Sequence, residues 1–413
     1  MTNDSDIKMF CEVQIADLSK VIDISKIQDD CYVKESGLKV NTKGKYNLVK
    51  YEKNSLLQSN YSTIGLLRSV VFKNDKLVSF SPPKSIPLYE VLFKQQGFDS
   101  NAVVLEEYVD GTMINVFFDE DNWHISTRSV LGAETTFYSD SKTTYLDMFR
   151  DCVAKSKMRL DLLDPKYCYS FVIKHPDNRI VEKIVEPCIY LCGVYRIQDS
   201  TVFELPLSKL VSEEMKINPE IEIMFRGTCV RIPRLEVFTS LEEVEHKYGS
   251  IHTQYQFKGI IIRVENSRVR TKIVNPNYSY VRKLRGNQSK LQFKYYDLRK
   301  KSLITEYLKY FPEHSVLFQV FEEEIKYFED ILFLLYREVF MLKRLTMDLV
   351  PYEYKNHLRN IHDYYIFNLS NGNRQSIRKD NVKHYSFQLQ PAMLMFSINY
   401  SKHNISKALC TVK

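Results

Sequence analysis

Short runs of apolar residues, separated by turn signals, make up most of the chain before residue 287. They have the length and the β-branched and aromatic content of strands. The clearest runs lie at 69–72, 113–118, 189–195 and 259–264. Helical spacing interrupts them at 143–157 and 240–246. We therefore predict an α+β domain over residues 41–287, built on antiparallel sheets with flanking helices.

After Asn287 the spacing of apolar residues changes to that of helices. The residues concerned recur at steps of three and four: Leu303, Tyr307, Phe311, Phe318, Phe321, Ile325, Phe328, Leu332 and Leu335. We predict an all-α C-terminal domain, residues 288–413, with its Met and aromatic residues in the core. Pro351 should end one long helix, residues 371–373 should form a loop, and the last helix should begin near Pro391.

The composition is that of a globular protein of two domains, since 44% of the 413 residues are apolar and 26% are charged. Residues 1–40 mix weak apolar alternation with acidic residues, and we predict an N-terminal extension there. Eight scattered cysteines indicate reduced core residues rather than a zinc site or disulfides. Because the apolar runs are too short for a membrane span, we expect a soluble, cytoplasmic protein with no membrane partner.

Positive charge is concentrated in one segment. Residues 258–301 hold thirteen Lys and Arg against two acidic residues, so they carry +11 and the rest of the chain −4, for a total of +7. Such a density is typical of a surface that follows phosphates, and a solvated charged face is the alternative. The residues expected to contact RNA are Arg282, Lys283, Arg285, Lys290 and Lys294.

An Asp-Gly pair stands between two apolar runs, in the pattern of a strand, a tight turn and a second strand. The turn is Tyr108-Val109-Asp110-Gly111-Thr112, where glycine permits the tight backbone. Alone this is weak evidence, because many hairpins contain Asp-Gly. Further segments in a fixed order strengthen it, at 46–51, 67–72, 79–84, 123–129, 169–181, 257–261 and 270–272.

Taken in order, these segments resemble the motifs of RNA ligases of the phage tRNA-repair type, in the covalent nucleotidyltransferase superfamily. The match runs from Tyr46 to Lys272, and its most specific part is residues 176–181, Pro-Asp-Asn-Arg-Ile-Val. The layout also resembles ligase-like proteins of large DNA viruses, which suggests a viral source. The resemblance implies a nucleotidyltransferase (ATP-grasp-like ligase) domain followed by the all-α domain.

Three positions depart from the ligase pattern, in which a lysine attacks the α-phosphate and carboxylates hold a divalent metal. Tyr108 replaces the lysine, while Val172 and Lys258 each replace a glutamate. An apolar group and a cation cannot bind magnesium, so we predict no catalytic residue and no metal here. The resemblance implies nucleotide- or phosphate-binding positions at Arg68, Lys84, Asp110, Gly111, Arg128, Arg270 and Lys272.

Tyr108 and Lys258 each allow two interpretations. Tyr108 either fills the pocket or serves as a base-stacking surface or nucleotidyl acceptor, and a phenol pKa of roughly 10 disfavours covalent use. Lys258 either takes the place of the metal beside a phosphate or is a surface lysine at a strand start. Lys174 and His175 are expected in an exposed charged turn.

Three functions are compatible with these residues. The first is an RNA-ligase-like pseudoenzyme that binds RNA or a nucleotide without lysine adenylylation. The second is an unorthodox RNA ligase or nucleotidyltransferase that uses Tyr108 or a displaced lysine; in that case alone, ATP or GTP with Mg²⁺ is expected. The third is a structural or assembly protein, in which the ligase fold is a scaffold and the helical domain binds a protein partner.

Overall fold

The computed structural model of the protein describes residues 12–86, 103–139, 141–207, 225, 227–264, 269–372 and 375–411. Its contacts divide the chain into two units. The sheet unit comprises residues 1–137 and 141–283, and the helical unit comprises residues 138–140 and 284–413. The described strands all lie in the sheet unit.

Three antiparallel sheets form the sheet unit. Their strands are β1 Val13–Asp17, β2 Leu38–Lys43, β3 Tyr46–Tyr51, β4 Val70–Lys73, β5 Lys76–Ser79, β6 Val103–Glu107, β7 Thr112–Asp119, β8 Asn122–Thr127, β9 Tyr167–Lys174, β10 Cys188–Gln198, β11 Thr201–Glu204, β12 Leu235–Glu236, β13 Gly259–Val264 and β14 Arg270–Val274. The orders are β1-β11-β10-β9-β7-β8, β12-β6-β13-β14 and β2-β3-β4-β5. Each pair of named strands is antiparallel, which confirms the predicted α+β class.

Four helices accompany these strands in the described part of the unit: α1 Asp30–Glu35, α2 Tyr145–Ser156, α3 Leu241–Tyr248 and α4 Pro276–Arg285, whose last residues belong to the helical unit. Polar side chains cap two of them. Thr144 accepts a hydrogen bond from Asp147 N at the start of α2, and Ser240 accepts one from Glu243 N at the start of α3. The helices predicted at 143–157 and 240–246 are therefore confirmed.

Strand β9 holds the centre of the six-stranded sheet. It is buried at all of its positions, between β7 and β10. Its Tyr169 and Phe171 pack in one apolar core with Phe149 of α2. A strand buried on both faces is continuously apolar and aromatic instead of alternating, and this sequence shows that pattern. The strand therefore gives a rigid support to the turn that follows β6.

The helical unit contains α5 Leu291–Lys300, α6 Ile304–Tyr310, α7 Ser315–Tyr336, α8 Tyr352–Ser370, α9 Lys379–Gln388 and α10 Pro391–Thr411. The predicted start at Pro391 and the turn at Asn371-Gly372 are confirmed; Asn373 lies outside the described residues. The prediction for Pro351 was wrong. A π-helical turn over Arg337–Met341 ends the long helix, and Pro351 precedes α8, where its missing N–H costs nothing.

The apolar residues at helical spacing pack mainly as expected. Those buried are Tyr307, Phe311, Phe318, Ile325, Phe328 and Leu332. Met393 and Phe396 depart from the prediction, since 49% and 54% of their surfaces are exposed while Leu394 and Ile398 of the same helix are buried. Over residues 391–400 of α10, whose side chains are described, one face is thus in the core and the other is exposed. Among the described residues, no helix combines the length and apolar character needed to cross a membrane.

His357 joins three helices of this unit. Its Nδ1 lies 2.8 Å from Tyr385 Oη on α9, and its Nε2 lies 2.8 Å from Ser397 Oγ on α10. Ser397 Oγ donates to Met393 O, so it is free to accept a hydrogen bond from Nε2–H. Both ring nitrogens are thus satisfied by the neutral ring, and burial lowers the pKa of His357 to about 4.

We predict that acid destabilises the helical unit through His357. Stability should be retained above pH 6.5, the ordinary pKa, and be lost as pH falls from there towards about 4, by up to about 3 kcal/mol. Urea unfolding of the full chain, followed by circular dichroism across this range, measures the loss. His357→Gln should flatten the pH dependence, and the control His362→Gln on the same helix should keep it. An equal slope in both variants would contradict this assignment.

Candidate functional site

Tyr108 follows directly on the end of β6. This strand lies between β12 and β13, and the N–H of Tyr108 donates to Gly259 O at the start of β13. Gly259 has φ +137°, and a Cβ there would lie 2.1 Å from Ile273 O. A Cβ at Gly111 would likewise lie 2.4 Å from Ile173 O of β9. Both glycines are therefore required by close backbone contacts, which fix Tyr108 between two sheets.

Asp110 holds this turn in place. Its Oδ1 accepts a hydrogen bond from Tyr278 Oη at 2.5 Å, and its Oδ2 accepts one from Val181 N at 3.2 Å. Nearby, Asn178 Nδ2 donates to Thr112 Oγ1 at 2.7 Å. The segment 176–181, the most specific part of the ligase resemblance, is thus tied to the Asp-Gly turn by side chains that sequence spacing alone does not connect. Asp110 has a positioning role in this arrangement.

Two lysines from neighbouring strands surround Tyr108. Lys258 Nζ lies 3.8 Å from the centroid of the Tyr108 ring and donates to Val109 O at 3.0 Å. Lys272 Nζ lies 5.0 Å from the same centroid and donates to Tyr108 Oη at 3.4 Å. One ring therefore has two ammonium groups close to it, a cation–π arrangement that also stabilises negative charge on the phenol oxygen. Lys258 is half-buried, and its contacts with Val109 O and the Tyr108 ring favour a role in the site over that of a surface lysine.

The phenol of Tyr108 is acidified by this environment. Burial by itself raises the pKa of Tyr108, but the positive charges of Lys258 and Lys272, followed by Arg68 and Arg270, outweigh it and lower the pKa to about 7. Elsewhere in the described chain burial has the usual effect, as at Tyr46 and Tyr248, where it raises the pKa to about 12. The sequence-based objection to covalent use of Tyr108, its high pKa, therefore does not hold.

The cations around Tyr108 (Arg68, Lys84, Arg270 and Lys272) include two guanidinium groups with N–H donors that are unpaired among the described residues. Arg270 is 8% exposed, and among the described residues its Nε and Nη1 have no hydrogen-bond acceptor. Arg68 Nε is also buried without a hydrogen-bond acceptor among the described residues. Burial first, and then the charges of Lys272 and Arg68, lower the pKa of Lys84. Buried N–H donors without an acceptor are costly, so this group is suited to receive an anion.

The two lost glutamates are replaced by groups that do not fit a metal. Val172 is buried in an apolar cluster with Val109 and Tyr190. Lys258 places a positive charge where the ligase pattern has the second glutamate. Magnesium requires oxygen ligands, so the residues present at these positions do not fit it. No group of three or more His, Cys, Asp and Glu suited to a metal occurs among the described residues.

A cavity of about 300 Å³ borders Tyr108 and Lys258. Its walls also contain Glu107, Asp110, Lys174, Glu182, Tyr190, Arg234, Tyr248, Gln254, Gln256, Phe257 and Gly259. Phe257 is 45% exposed, so it offers an aromatic surface within this chamber. The volume is at the lower end of the range for small-molecule sites, roughly 300–1,000 Å³.

The prediction for Lys174 and His175 was wrong. They are 8% and 6% exposed, because β9 extends to Lys174 and carries it into the sheet unit. Lys174 Nζ binds Glu182 at 2.7 Å and lies 5.2 Å from the ring centroid of Tyr190. Lys174 and Tyr190 belong to the wall of the cavity, a role that the sequence did not predict. The burial of Lys174 and its contact with Tyr190 depend on the pairing of β9 with β10, which brings the two residues together.

The predicted phosphate-binding cations are brought together in part. The charges of Arg68, Arg270 and Lys272 act on Tyr108, and Lys84 belongs to the same group. Arg128 is exposed, and the charge of Arg68 acts on it. The charge of Arg282 acts on both Lys258 and Arg128, which adds an exposed cation beside the group.

The predicted RNA contacts after Lys258 have mixed positions. Arg282, Lys283 and Lys290 are exposed. Arg285 and Lys294 are each 7% exposed. Lys294 lies within α5 with its Nζ 3.9 Å from Asp297, and Arg285 lies over the ring of Tyr138. RNA contact by these five residues stays a prediction, and the exposed Arg282, Lys283 and Lys290 are better placed for it than the buried Arg285 and Lys294.

Comparison with known proteins connects the chain to RNA ligases. No protein-family model matches it. It is 29% identical to the RNA ligase of Rhodothermus phage RM378 over 197 residues, 42% of this chain and 44% of the phage protein. The chain thus spans less than half the length of that relative. It is RNA-ligase-like over this part, and the tRNA-repair type and the viral source stay predictions.

Similar solved structures include a putative ATP-dependent DNA ligase from Aquifex aeolicus, with a TM-score of 0.38 and 16% identity over 74% of each chain. Another is a variant of the Naegleria gruberi RNA ligase with ATP and Mn. It has a TM-score of 0.34 and 12% identity, covering 48% of this chain and 57% of that one. At these TM-scores the likeness adds nothing to the sequence relationship.

We predict that Tyr108 titrates near neutral pH. Phenolate absorbance of the native protein should show a step with a midpoint of about 7, and Tyr108→Phe should remove it. Lys258→Met should move the step to higher pH, because it removes a charge that stabilises the phenolate. The control Tyr327→Phe, at an exposed tyrosine of the helical unit, should leave the step in place. Persistence of the step in Tyr108→Phe would contradict the assignment.

Proposed function

We propose that the protein is an RNA-ligase-like module that binds a phosphate of RNA or of a nucleotide, without lysine adenylylation. The observation that carries this proposal is the buried guanidinium of Arg270, two of whose nitrogens have no acceptor among the described residues. A folded protein retains such a group at a cost in stability, and an anionic ligand would offset that cost on binding.

The chemistry of the cations around Tyr108 favours phosphate over other anions. Arg68 and Arg270 supply planar N–H donors, which match phosphate oxygens in bidentate geometry, and Lys84 and Lys272 supply compact charges. The negative charge of Glu106 acts on Arg270, but that carboxylate is already bound by Arg263 at 2.8 Å. Arg270 therefore has binding capacity left for a ligand.

RNA is the favoured source of that phosphate. The similarity to a phage RNA ligase supports it, as does the exposed charge of Arg282 and Lys283 on the helix that follows β14. These side chains would extend the contact along a backbone of repeated phosphates. The assembly function considered from the sequence stays a prediction, with a protein partner binding through residues 303–413.

We predict salt-sensitive RNA binding that depends on Arg270. The affinity of the full chain for single-stranded RNA should fall steeply as salt rises. Arg270→Gln should weaken binding about tenfold, the effect of losing one charge-assisted contact, and reduce the logarithmic salt slope by roughly one. Filter binding or fluorescence anisotropy over a salt series measures both.

The same substitution separates a ligand-binding role from a structural one. Arg270→Gln removes an unpaired buried charge, so the unfolding free energy should stay equal or rise. The control Lys43→Gln removes an exposed charge that is paired with Glu134, and it should leave RNA affinity unchanged. Affinity that is indifferent to salt, or equal in Arg270→Gln and the unsubstituted protein, would refute the proposal.

A further inference from the structure

Tyr108 lies where an attacking group would meet a bound phosphate. Its Oη lies 3.4 Å from Lys272 Nζ, and its ring lies 3.8 Å from Lys258 Nζ. The same residue forms part of the wall of the 300 Å³ cavity. One side chain thus borders both a chamber and the cations in which we place the phosphate.

We propose that Tyr108 Oη is a nucleophile that accepts a nucleotidyl group from a nucleoside triphosphate. The inference rests on the proposed phosphate binding and adds a covalent step to it. The product is a tyrosyl nucleotide phosphodiester, in which the phenol oxygen carries a nucleoside monophosphate.

The step balances with groups present in the protein and the substrate. The phenol first releases its proton to water. An electron pair of Oη then forms a bond to the α-phosphorus, and the bond from that phosphorus to the bridging oxygen of the β-phosphate breaks. Pyrophosphate leaves with the electron pair of that bond. Lys258 and Lys272, with Arg68 and Arg270, offset the charge that develops on the phosphate oxygens.

The acidity of Tyr108 supports this role without carrying it. With a pKa of about 7, a large share of the phenol is ionised at neutral pH, so no separate base is needed. The same cations make the phenolate a good leaving group. Pyrophosphate should therefore reverse the step and regenerate the triphosphate.

Lys258 is the competing nucleophile in the same place. Burial lowers the pKa of Lys258, and the charges of Tyr108 and Asp110 offset only part of that effect. Its Nζ donates to Val109 O and lies over the tyrosine ring. These contacts point Nζ at the Val109 carbonyl and at the tyrosine ring, so the geometry favours Tyr108 as the attacking group and Lys258 as its charge partner.

The cavity indicates the kind of substrate. Phe257 presents an exposed aromatic surface beside Lys258, and Gln254 and Gln256 present amides to the same chamber. An aromatic ring with nearby amides is suited to a nucleobase, which stacks through its face and forms hydrogen bonds through its edge. A nucleoside triphosphate combines such a base with the anionic group that the cations require.

The test is an adduct assay on the full chain. The protein is incubated with each of the four α-labelled ribonucleoside triphosphates, with and without Mg²⁺, and separated by denaturing electrophoresis. Labelled protein is digested and the modified residue is located by mass spectrometry. We expect a label on Tyr108 that resists acid, because a phenol ester of phosphate survives conditions that cleave a lysine phosphoramidate.

Variants make the outcome specific. Tyr108→Phe keeps the ring and should lose all label, and the control Tyr327→Phe should keep it. Lys258→Met should reduce the label at neutral pH and regain part of it at higher pH, where more phenol is ionised. A merely structural role for Lys258 would lower the label equally at all pH values. Peptide mapping on the unsubstituted protein keeps the test valid if Tyr108→Phe folds poorly.

Each remaining result overturns the inference. An acid-labile label on Lys258 would replace Tyr108 with a displaced lysine. No label, although triphosphate binds in equilibrium dialysis run in parallel, would refute the covalent step and leave the proposed binding function intact. Neither label nor binding of triphosphate or RNA would refute both.

Discussion

The repulsion among buried cations around Tyr108 is the constraint on which the rest of the site depends. Two unit charges about 5 Å apart repel by roughly 3 kcal/mol at an effective dielectric constant near 20. Such repulsion acts within this group, since beyond the effect of burial the charges of Lys272 and Arg68 lower the pKa of Lys84 and that of Arg68 lowers the pKa of Arg270. The phenolate of Tyr108 is the internal charge that best relieves this repulsion, and its acidity is the visible result.

The surrounding fold has to hold these charges together against that repulsion. Close backbone contacts at Gly111 and Gly259 leave the turn no room to open. Asp110 adds two hydrogen bonds that tie the turn to Tyr278 and Val181. The site is thus assembled by rigid strand ends, not by the ligand, which keeps the cations preorganised for an incoming phosphate.

The sequence predicted the strand and helix pattern well, because buried strands such as β9 and capped helices such as α2 have strong local signals. It also identified Tyr108, Val172 and Lys258 as the departures from the ligase pattern. It did not predict the acidity of Tyr108, since that depends on charges brought together from β14, from the residue before β13 and from the segment before β4. The burial of Lys174, Arg285 and Lys294 was missed for a related reason: charged residues are expected outside, and only tertiary pairing places them inside.

The contact between Tyr108 and Lys258 has a consequence for how such a site can change. In the ligase pattern that the sequence resembles, a cationic lysine stands at position 108 and an anionic glutamate at position 258. Here an ionisable phenol stands at the first position and an ammonium at the second, so the polarity of the pair is inverted while its attraction is kept. A lysine at position 108 facing Lys258 would bring two like charges into contact, whereas a tyrosine facing a glutamate would stay a neutral phenol. A lysine at position 108 would thus be repelled by Lys258. A lysine nucleophile can be restored there without that repulsion only if position 258 changes as well.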